Sequence, residues 1–214
     1  MQSAILRELR TEAAETFASH RPGSPADSYL SQRGVPAEVQ DTFRLGYVPS
    51  DPIPEYAQFA GMLSIPYCTP AGCVGLKFRH LDGREPKYLN ISGQESHLFN
   101  VLDLHKKSDF IVICEGELDA VVSSGVCGVP TVSLAGVTHW KAHFGRLFAG
   151  YRRVIIATDN DVKDDGSNPG QDLSKKILRE LHNATNVLLP ANTDITDYCL
   201  QHGIDAYRQI VVPQ

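Results

Sequence analysis

Two short apolar runs that end in carboxylates constrain this chain more than any other feature. Residues 110–114 (Phe-Ile-Val-Ile-Cys) are followed at once by Glu115, and residues 154–158 (Val-Ile-Ile-Ala-Thr) by Asp159 and Asp161. Apolar runs of this length are typical of buried parallel strands, and the residues beyond the carboxyl ends of such strands line the ligand crevice of an α/β sheet. Gathered at one edge, these hard oxygen donors predict a site for Mg²⁺ or Mn²⁺.

The second half of the chain alternates between strand-like and helix-like segments, which predicts an α/β fold with a mostly parallel sheet. The predicted strands lie near residues 110–114, 130–134, 153–158 and 186–189. The predicted helices lie near residues 117–124, 138–148, 170–182 and 195–210.

The order and spacing of the carboxylates resemble the two motifs of the Toprim domain. The first is Glu115-Gly116-x-x-Asp119 and the second is Asp159-x-Asp161, each after a predicted strand. Either motif alone also fits an ordinary helix start, where acidic residues are favoured. The resemblance implies a Toprim-type sheet flanked by helices, with Glu115, Asp119, Asp159 and Asp161 as catalytic residues.

A third acidic cluster follows the last predicted strand. It contains Thr193, Asp194 and Asp197, and local chemistry alone explains Thr193 or Asp194 as the cap of the final helix. In Toprim primases a similar acidic turn completes the metal site. The resemblance therefore implies Asp194 as a metal ligand together with Glu115, Asp159 and Asp161.

The first half resembles the amino-terminal subdomain of DnaG-type primase polymerase cores. The resemblance rests on residues 28–35, 43–47, 61–67 and 86–90, of which the last (Pro-Lys-Tyr-Leu-Asn) is the most specific. It implies that residues 1–108 form a smaller α+β lobe before a Toprim catalytic domain of residues 109–214. It also implies that the Lys-Tyr-x-Asn element, Lys87, Tyr88 and Asn90, lines a nucleotide and template groove.

Three basic residues of this lobe fall on a predicted hairpin. Cys73–Arg79 and Lys87–Leu89 form its strands, and alternation sets Lys77 and Arg79 on one face. There they could hold the phosphates of a triphosphate or a template strand. The alternative is an ordinary solvated strand face.

Composition fits a compact intracellular enzyme. The chain has 214 residues, a hydrophobic content of 42% and a charged content of 21%. It has no membrane-length apolar run and no secretion signal, so we expect a cytoplasmic location in a bacterial cell or a phage-infected host and no membrane partner.

The net charge of the chain is −5. Up to Ser108 there are 11 Lys and Arg against 12 Asp and Glu, and beyond it 9 against 13, so most of the acidic excess lies in the half with the predicted metal site. Bound cations would offset this negative charge, so weak nucleic-acid binding is compatible with the acidic composition.

The cysteines indicate reduced thiols. There are five, an odd number, and none forms a Cys-x-x-Cys motif, which argues against a disulfide framework or a zinc ribbon. Cys68 and Cys73 are spaced as half of a metal site, but no second pair lies nearby.

The chain departs from the DnaG-type pattern in three respects. We find no zinc-binding domain, and no helicase-contacting domain or nucleotide-binding Gly-x-x-x-x-Gly-Lys-Ser/Thr loop. The expectation is a bare polymerase core whose start-site choice and helicase coupling come from a separate zinc-binding protein and a replicative helicase. The third departure is an insertion at residues 162–168, in which Asp164 and Asp165 are interpreted as turn formers rather than ligands.

The resemblance implies a DNA primase core, a nucleotidyltransferase that makes short RNA primers from ribonucleoside triphosphates on single-stranded DNA. Mg²⁺ or Mn²⁺ would be held by Asp159, Asp161 and Asp194, with Glu115 as a further ligand or as the general base and Asp119 as an orienting group. Two alternatives stay open. One is a Toprim-type metal-dependent nuclease and the other is a non-catalytic module that binds replisome or host proteins.

Overall fold

The computed structural model of the protein describes residues 4–212, which form two compact units. The first ends at His97 and the second begins at Leu98. The segment Val101–His105, a 3-10 turn, groups with the second unit, whereas the sequence assigned residues 1–108 to the first domain. The assignment of separate functions to the two parts stays a prediction.

The first unit is an α+β lobe with a four-stranded antiparallel sheet in the order β1-β2-β3-β4. Its helices are α1 (Ala4–Ser19), α2 (Pro25–Gln32) and α3 (Ala37–Thr42), and a 3-10 turn spans Pro54–Phe59. Its strands are β1 (Gly46–Tyr47), β2 (Leu63–Thr69), β3 (Gly72–Arg79) and β4 (Tyr88–Asn90).

An aromatic cluster forms the core of this lobe. Phe17 on α1 meets Tyr56 edge to face, and the rings of Phe59 and Phe78 stack with centroids 3.8 Å apart. All four side chains are buried, so they anchor α1 and the 3-10 turn against β3.

The predicted hairpin is confirmed. Strands β3 and β4 pair in antiparallel register, with Lys77 opposite Asn90 and Arg79 opposite Tyr88. Residues two apart on a strand share a face, so Lys77 and Arg79 lie on the same side of the sheet.

The second unit contains a parallel sheet in the order β6-β5-β7-β8, as the α/β prediction requires. Its strands are β5 (Phe110–Cys114), β6 (Thr131–Ser133), β7 (Arg153–Ala157) and β8 (Ala184–Asn186). Its helices are α4 (Glu117–Ala120), α5 (Gly145–Phe148), α6 (Pro169–Glu180), α7 (Ile195–His202) and α8 (Ile204–Val211). Residues 111–114 of β5 and 154–157 of β7 are buried because these strands lie at the centre of the sheet.

The prediction of a helix over residues 138–148 is wrong in its first half. Trp140 inserts into the core, where its ring stacks on Phe148 and its indole N–H donates to Glu180 at 2.8 Å. Extended backbone at Lys141 brings the ring there, so only a 3-10 turn (Ala142–Phe144) and α5 are helical.

The last predicted strand begins earlier than residues 186–189. The side chain of Asn183 donates to the carbonyls of Phe148 and Tyr151, and its own carbonyl accepts from the N–H of Val154. These bonds fix the start of β8 at Ala184.

Two predicted helices also differ in detail. The helix predicted over residues 195–210 is two helices, since Gly203 has a φ of +88° that an α-helix cannot contain. The helix predicted over residues 117–124 continues from α4 into a π-helical segment, Val121–Val126. Within the described part of the chain, none of the helices combines the length and the apolar character that a membrane crossing needs.

Candidate active site

Parallel pairing brings two of the predicted acids to one edge of the sheet. Cys114, the last residue of β5, lies opposite Ala157, the last residue of β7. Glu115 directly follows the first strand and Asp159 lies two residues beyond the second, and both side chains are partly buried. Asp161, which was predicted to join them, is exposed.

Gly170 allows the start of α6 to lie close to both of these acids. A Cβ atom at Gly170 would lie 2.3 Å from the carbonyl oxygen of Asp159 and 3.2 Å from Oε2 of Glu115. The first distance is shorter than any real contact, so only glycine lets α6 begin here. The side-chain amide of Gln171 adds a donor to the same carbonyl of Asp159 at 3.3 Å.

Asp119 is held by a residue that sequence reasoning missed. Its Oδ1 accepts from the backbone N–H of Thr196 at 3.1 Å and from the Thr196 hydroxyl at 2.7 Å. Both residues are buried, and the two bonds join α4 to α7. Asp194 caps α7 by accepting from the N–H of Asp197 at 2.6 Å, so the capping role that local chemistry suggested is confirmed.

The acids raise one another's pKa. Burial, and then the charges of Asp119 and Asp161, raise the pKa of Glu115 to about 7, although Lys163 opposes the shift. Burial, and then chiefly Glu115 and Asp194, raise the pKa of Asp159 to about 7. Such shifts indicate negative charge that nearby cations do not balance.

Asp119 shows the same behaviour more strongly. Burial, and then the charges of Asp194 and Asp159, hold its pKa well above the usual range, even though the two hydrogen bonds from Thr196 act in the opposite direction. Burial and mutual repulsion thus raise the pKa of three carboxyl groups at this edge, so each holds a proton at a higher pH than an exposed carboxyl group does.

The donor chemistry of this edge fits a hard divalent cation. Oε2 of Glu115 is buried and has no hydrogen-bond partner, which is costly for a carboxylate unless an ion approaches it. Across residues 4–212 no three acidic, histidine or cysteine side chains already converge as a complete metal cage. The fit therefore rests on oxygen donors and uncompensated charge.

The insertion at residues 162–168 forms a tight turn. The N–H of Gly166 donates to the carbonyl of Lys163 at 2.8 Å, and the N–H of Ser167 donates to the carboxylate of Asp165 at 2.9 Å. The interpretation of Asp165 as a turn former is confirmed. Asp164 is exposed on the same turn.

In the first unit, the predicted nucleotide-binding residues form a stack of cations and rings. The Lys77 ammonium lies 4.6 Å from the ring centre of Tyr88, and the Arg79 guanidinium lies 4.8 Å from the same ring and 5.2 Å from that of Tyr29. Lys77 is only 8% exposed, so the alternative of a solvated strand face is wrong for this residue.

The remaining members of the predicted set are more accessible. Lys87 and Asn90 are exposed at either side of Tyr88. Nε of Arg79 is buried and makes no hydrogen bond, which leaves one guanidinium donor unused. The face thus offers cationic groups and an aromatic ring, the combination that binds nucleotides.

A cavity of about 580 Å³ lies elsewhere in the first unit, between α1 and the segment from Pro49 to Tyr56. Its walls are mainly apolar, and the predicted site residues are not among those that line it. We therefore place the candidate chemistry at the sheet edge and not in this cavity.

Known proteins are similar to this chain over its second unit alone and over nearly its whole length. The model of the Toprim domain matches residues 110–205. Gene 57 protein of Mycobacterium phage D29 is 34% identical over 153 residues, which cover 69% of this chain and 96% of that protein. The DNA primase of Enterococcus faecalis is 24% identical over an alignment of 262 residues that covers 98% of this chain. The chain spans 41% of the length of that primase.

The fold is similar to that of a solved primase domain. The RNA polymerase domain of Mycobacterium tuberculosis primase DnaG, in complex with double-stranded DNA, superposes with a TM-score of 0.78 at 22% identity, covering 98% of this chain and 80% of that one. Sequence motifs, sheet topology and these relatives agree. The chain belongs to the family of DnaG-type primase polymerase cores that carry a Toprim domain.

Proposed function

We propose that this protein is a DNA primase core that joins ribonucleoside triphosphates into short RNA primers on a single-stranded DNA template, with Mg²⁺ or Mn²⁺ as cofactor. The observation that carries the proposal is the set of partly buried, mutually repelling carboxyl groups beyond β5 and β7, with Oε2 of Glu115 lacking a hydrogen-bond partner. Relatives named as primases, and a similar domain named as an RNA polymerase, support it.

In this proposal the acids divide into ligands and a base. Asp159, Asp161 and Asp194 would hold the cations, which when bound supply positive charge against the triphosphate and the leaving pyrophosphate. Glu115, with a pKa of about 7, is suited to accept the proton of the attacking 3′-hydroxyl near neutral pH, or to serve as a further ligand.

Asp119 would act through its neighbours. It is buried, and it accepts two hydrogen bonds from Thr196 on the helix that Asp194 caps. Such a group fixes the orientation of the side chains that contact the ion.

The cationic face of the first unit would bind phosphates and bases. Lys77, Arg79 and Lys87 provide charge for the triphosphate or the template backbone, while Tyr88 offers a ring and Asn90 an amide beside it. The ring contacts of Lys77 and Arg79 orient both cations before a ligand arrives.

A product-length assay tests the proposal. The full chain is incubated with single-stranded DNA, labelled ribonucleotides and Mg²⁺ or Mn²⁺, both with and without a pre-annealed primer. We expect labelled RNA that lengthens with time. Glu115→Gln and Asp159→Asn should each lower the rate by about 100-fold or more, the range for loss of an acid-base group or a metal ligand.

Asp164→Asn is the matched control, because it removes an exposed carboxylate a few residues from the site and should keep the full rate. Shortening of the DNA instead of extension would identify a nuclease. Equal rates for Glu115→Gln and the control would show that the sheet edge is not catalytic. No reaction with either metal would favour a non-catalytic binding module.

A further inference from the structure

Two cysteines far apart in the sequence have their sulfur atoms in contact. Sγ of Cys127 lies 3.6 Å from Sγ of Cys199, although 72 residues separate them. Cys127 follows the π-helical segment that continues α4, and Cys199 lies on α7. The pair therefore bridges the two segments that the Thr196–Asp119 hydrogen bonds also join.

The surroundings of this pair favour thiol chemistry. Cys127 is buried, whereas Cys199 is half-buried, so Cys199 is the more accessible residue of the pair. A hydrogen bond with Cys199 lowers the pKa of the Cys127 thiol, and the charge of Arg208 acts in the same direction. The same hydrogen bond, together with burial, raises the pKa of the Cys199 thiol, so Cys127 is the thiol of the pair that loses its proton first. Nε of Arg208 also donates to the backbone carbonyl of Cys127 at 2.7 Å, which fixes the cation beside the thiol.

We propose that Cys127 and Cys199 form a reversible oxidation site, at which a low-molecular-weight disulfide converts the two thiols into a disulfide that ties α7 to the segment after α4. A disulfide requires the sulfurs to approach from 3.6 Å to about 2.05 Å. Side-chain rotation and small shifts of α7 can supply this movement, since the two sulfurs already face each other.

The exchange balances in two steps. Cys127, whose pKa is the lower of the two, first loses its proton to water. Its thiolate then takes the proton of Cys199 while the sulfur of Cys199 attacks one sulfur of the oxidant R–S–S–R, which forms a mixed disulfide and releases one R–S⁻. Cys127 then loses its proton, and its sulfur attacks Sγ of Cys199, which releases the second R–S⁻. Each released thiolate takes up one proton, so two protein thiols are oxidised and one R–S–S–R is reduced to two R–SH.

The other three cysteines provide an internal comparison. Cys114 is fully buried in β5, and its thiol donates to the carbonyl of Gly116 at 3.4 Å. Cys68 and Cys73 lie opposite each other on β2 and β3, and their thiols also share a hydrogen bond, while the thiol of Cys73 contacts the carbonyl of Gly75 at 3.1 Å. A disulfide between Cys68 and Cys73 would join adjacent strands only, and would leave α7 untouched.

Peptide mapping tests the site. The full chain is equilibrated with oxidised and reduced glutathione at increasing ratios, alkylated, and digested without reduction. We expect a Cys127–Cys199 linked peptide that grows with the proportion of oxidised glutathione and disappears when reduced glutathione is restored. Alkylation of both cysteines at every ratio would overturn the proposal, as would linkage of either one to a different cysteine.

Serine variants provide the matched controls. Cys127→Ser and Cys199→Ser should each abolish the linked peptide, whereas Cys68→Ser should leave it unchanged. An intramolecular disulfide between Cys127 and another cysteine in Cys199→Ser would contradict the assignment. Thermal melting of each reduced variant establishes that it is folded, and mapping of the unmutated chain decides the result if one is not.

Hydrogen exchange tests the consequence for α7. Because opening of α7 must separate the two sulfurs, its amides, including that of Thr196, should exchange about tenfold more slowly in the oxidised protein than in the reduced protein. Cys199→Ser should show no response to the oxidant. Equal exchange rates in a protein shown to carry the disulfide would overturn the proposed tie. Neither readout uses primer synthesis, so the result does not depend on the proposed function.

Discussion

At the residue scale, the acids of the candidate site oppose folding at neutral pH. The pKa of Glu115 is about 7 in the folded protein against an ordinary value of 4.5, and that of Asp159 is about 7 against 3.8. At a pH between the ordinary pKa and the raised pKa of such a group, the folded state binds more protons than the unfolded state. The free energy of unfolding therefore falls as the pH rises from about 4 to 7, and the favourable contribution is complete only below the unfolded values.

We predict that the melting temperature in metal-free buffer is lower at pH 8 than at pH 5. Glu115→Gln should raise the melting temperature at pH 8, because a neutral amide avoids burying a charge, with a gain in unfolding free energy on the order of 1–3 kcal/mol. Mn²⁺ should raise the melting temperature of the unmutated chain at pH 8 more than that of the variant.

Asp164→Asn controls for net charge, since that exposed carboxylate should leave the pH profile unchanged. Calorimetry at constant ionic strength provides the measurement. A melting temperature that is higher at pH 8 than at pH 5 would contradict the idea that these acids are destabilised by burial.

Some residues of the candidate site could be predicted from the sequence and others could not, for a physical reason. Glu115 and Asp159 directly follow apolar runs, so their place at strand ends can be read from neighbouring residues. Thr196 forms a hydrogen bond with Asp119 although 77 residues separate them in the sequence, and no local sequence pattern predicts that contact. Gly170 looked like part of a helix start, and its close approach to Asp159 depends on the path of the preceding loop.

At the scale of elements, the central strands were predictable and the helix ends less so. Strands β5 and β7 are buried on both faces, which requires an uninterrupted apolar run. The segment at residues 138–148 carries apolar residues at helical spacing, but the burial of Trp140 overrides that pattern. Tertiary packing of one large side chain thus decides the local structure.

The start of α6 provides a test at this scale. We predict that Gly170→Ala lowers Mn²⁺ affinity and the melting temperature, because the new Cβ would meet the Asp159 carbonyl at 2.3 Å and must push the loop away from Glu115. The destabilisation should be about 1–3 kcal/mol, the usual cost of overpacking. Titration calorimetry and thermal melting provide the measurements.

Gly150→Ala is the matched control, since nothing lies within 4 Å of a Cβ at that position. It should leave both quantities almost unchanged. Normal Mn²⁺ affinity in Gly170→Ala would show that the approach of α6 does not shape the site.

At the scale of the whole molecule, net charge limits how tightly the protein can hold nucleic acid. The chain carries a charge of −5, and the residues beyond Ser108 hold most of the acidic excess. In the proposed function, binding relies on the few cations of the face formed by Lys77, Arg79 and Lys87. Each phosphate contact releases counterions, so affinity should be weak and should fall steeply as salt rises.

Lys87 is suited to a test of this limit, because it is exposed and lies next to Tyr88 in the sequence. We predict that Lys87→Ala weakens binding of single-stranded DNA and reduces the slope of log affinity against log salt by about 0.7, the value for one phosphate contact to a single strand. The melting temperature should stay nearly the same, since an exposed lysine contributes little to stability.

Fluorescence anisotropy at several salt concentrations measures the slope. Lys107→Ala is the control, because it removes an equal charge from an exposed position outside the predicted face. If both variants change the slope equally, net charge alone governs binding; if Lys87→Ala loses stability but keeps its affinity, its role is structural and the nucleotide face does not include it.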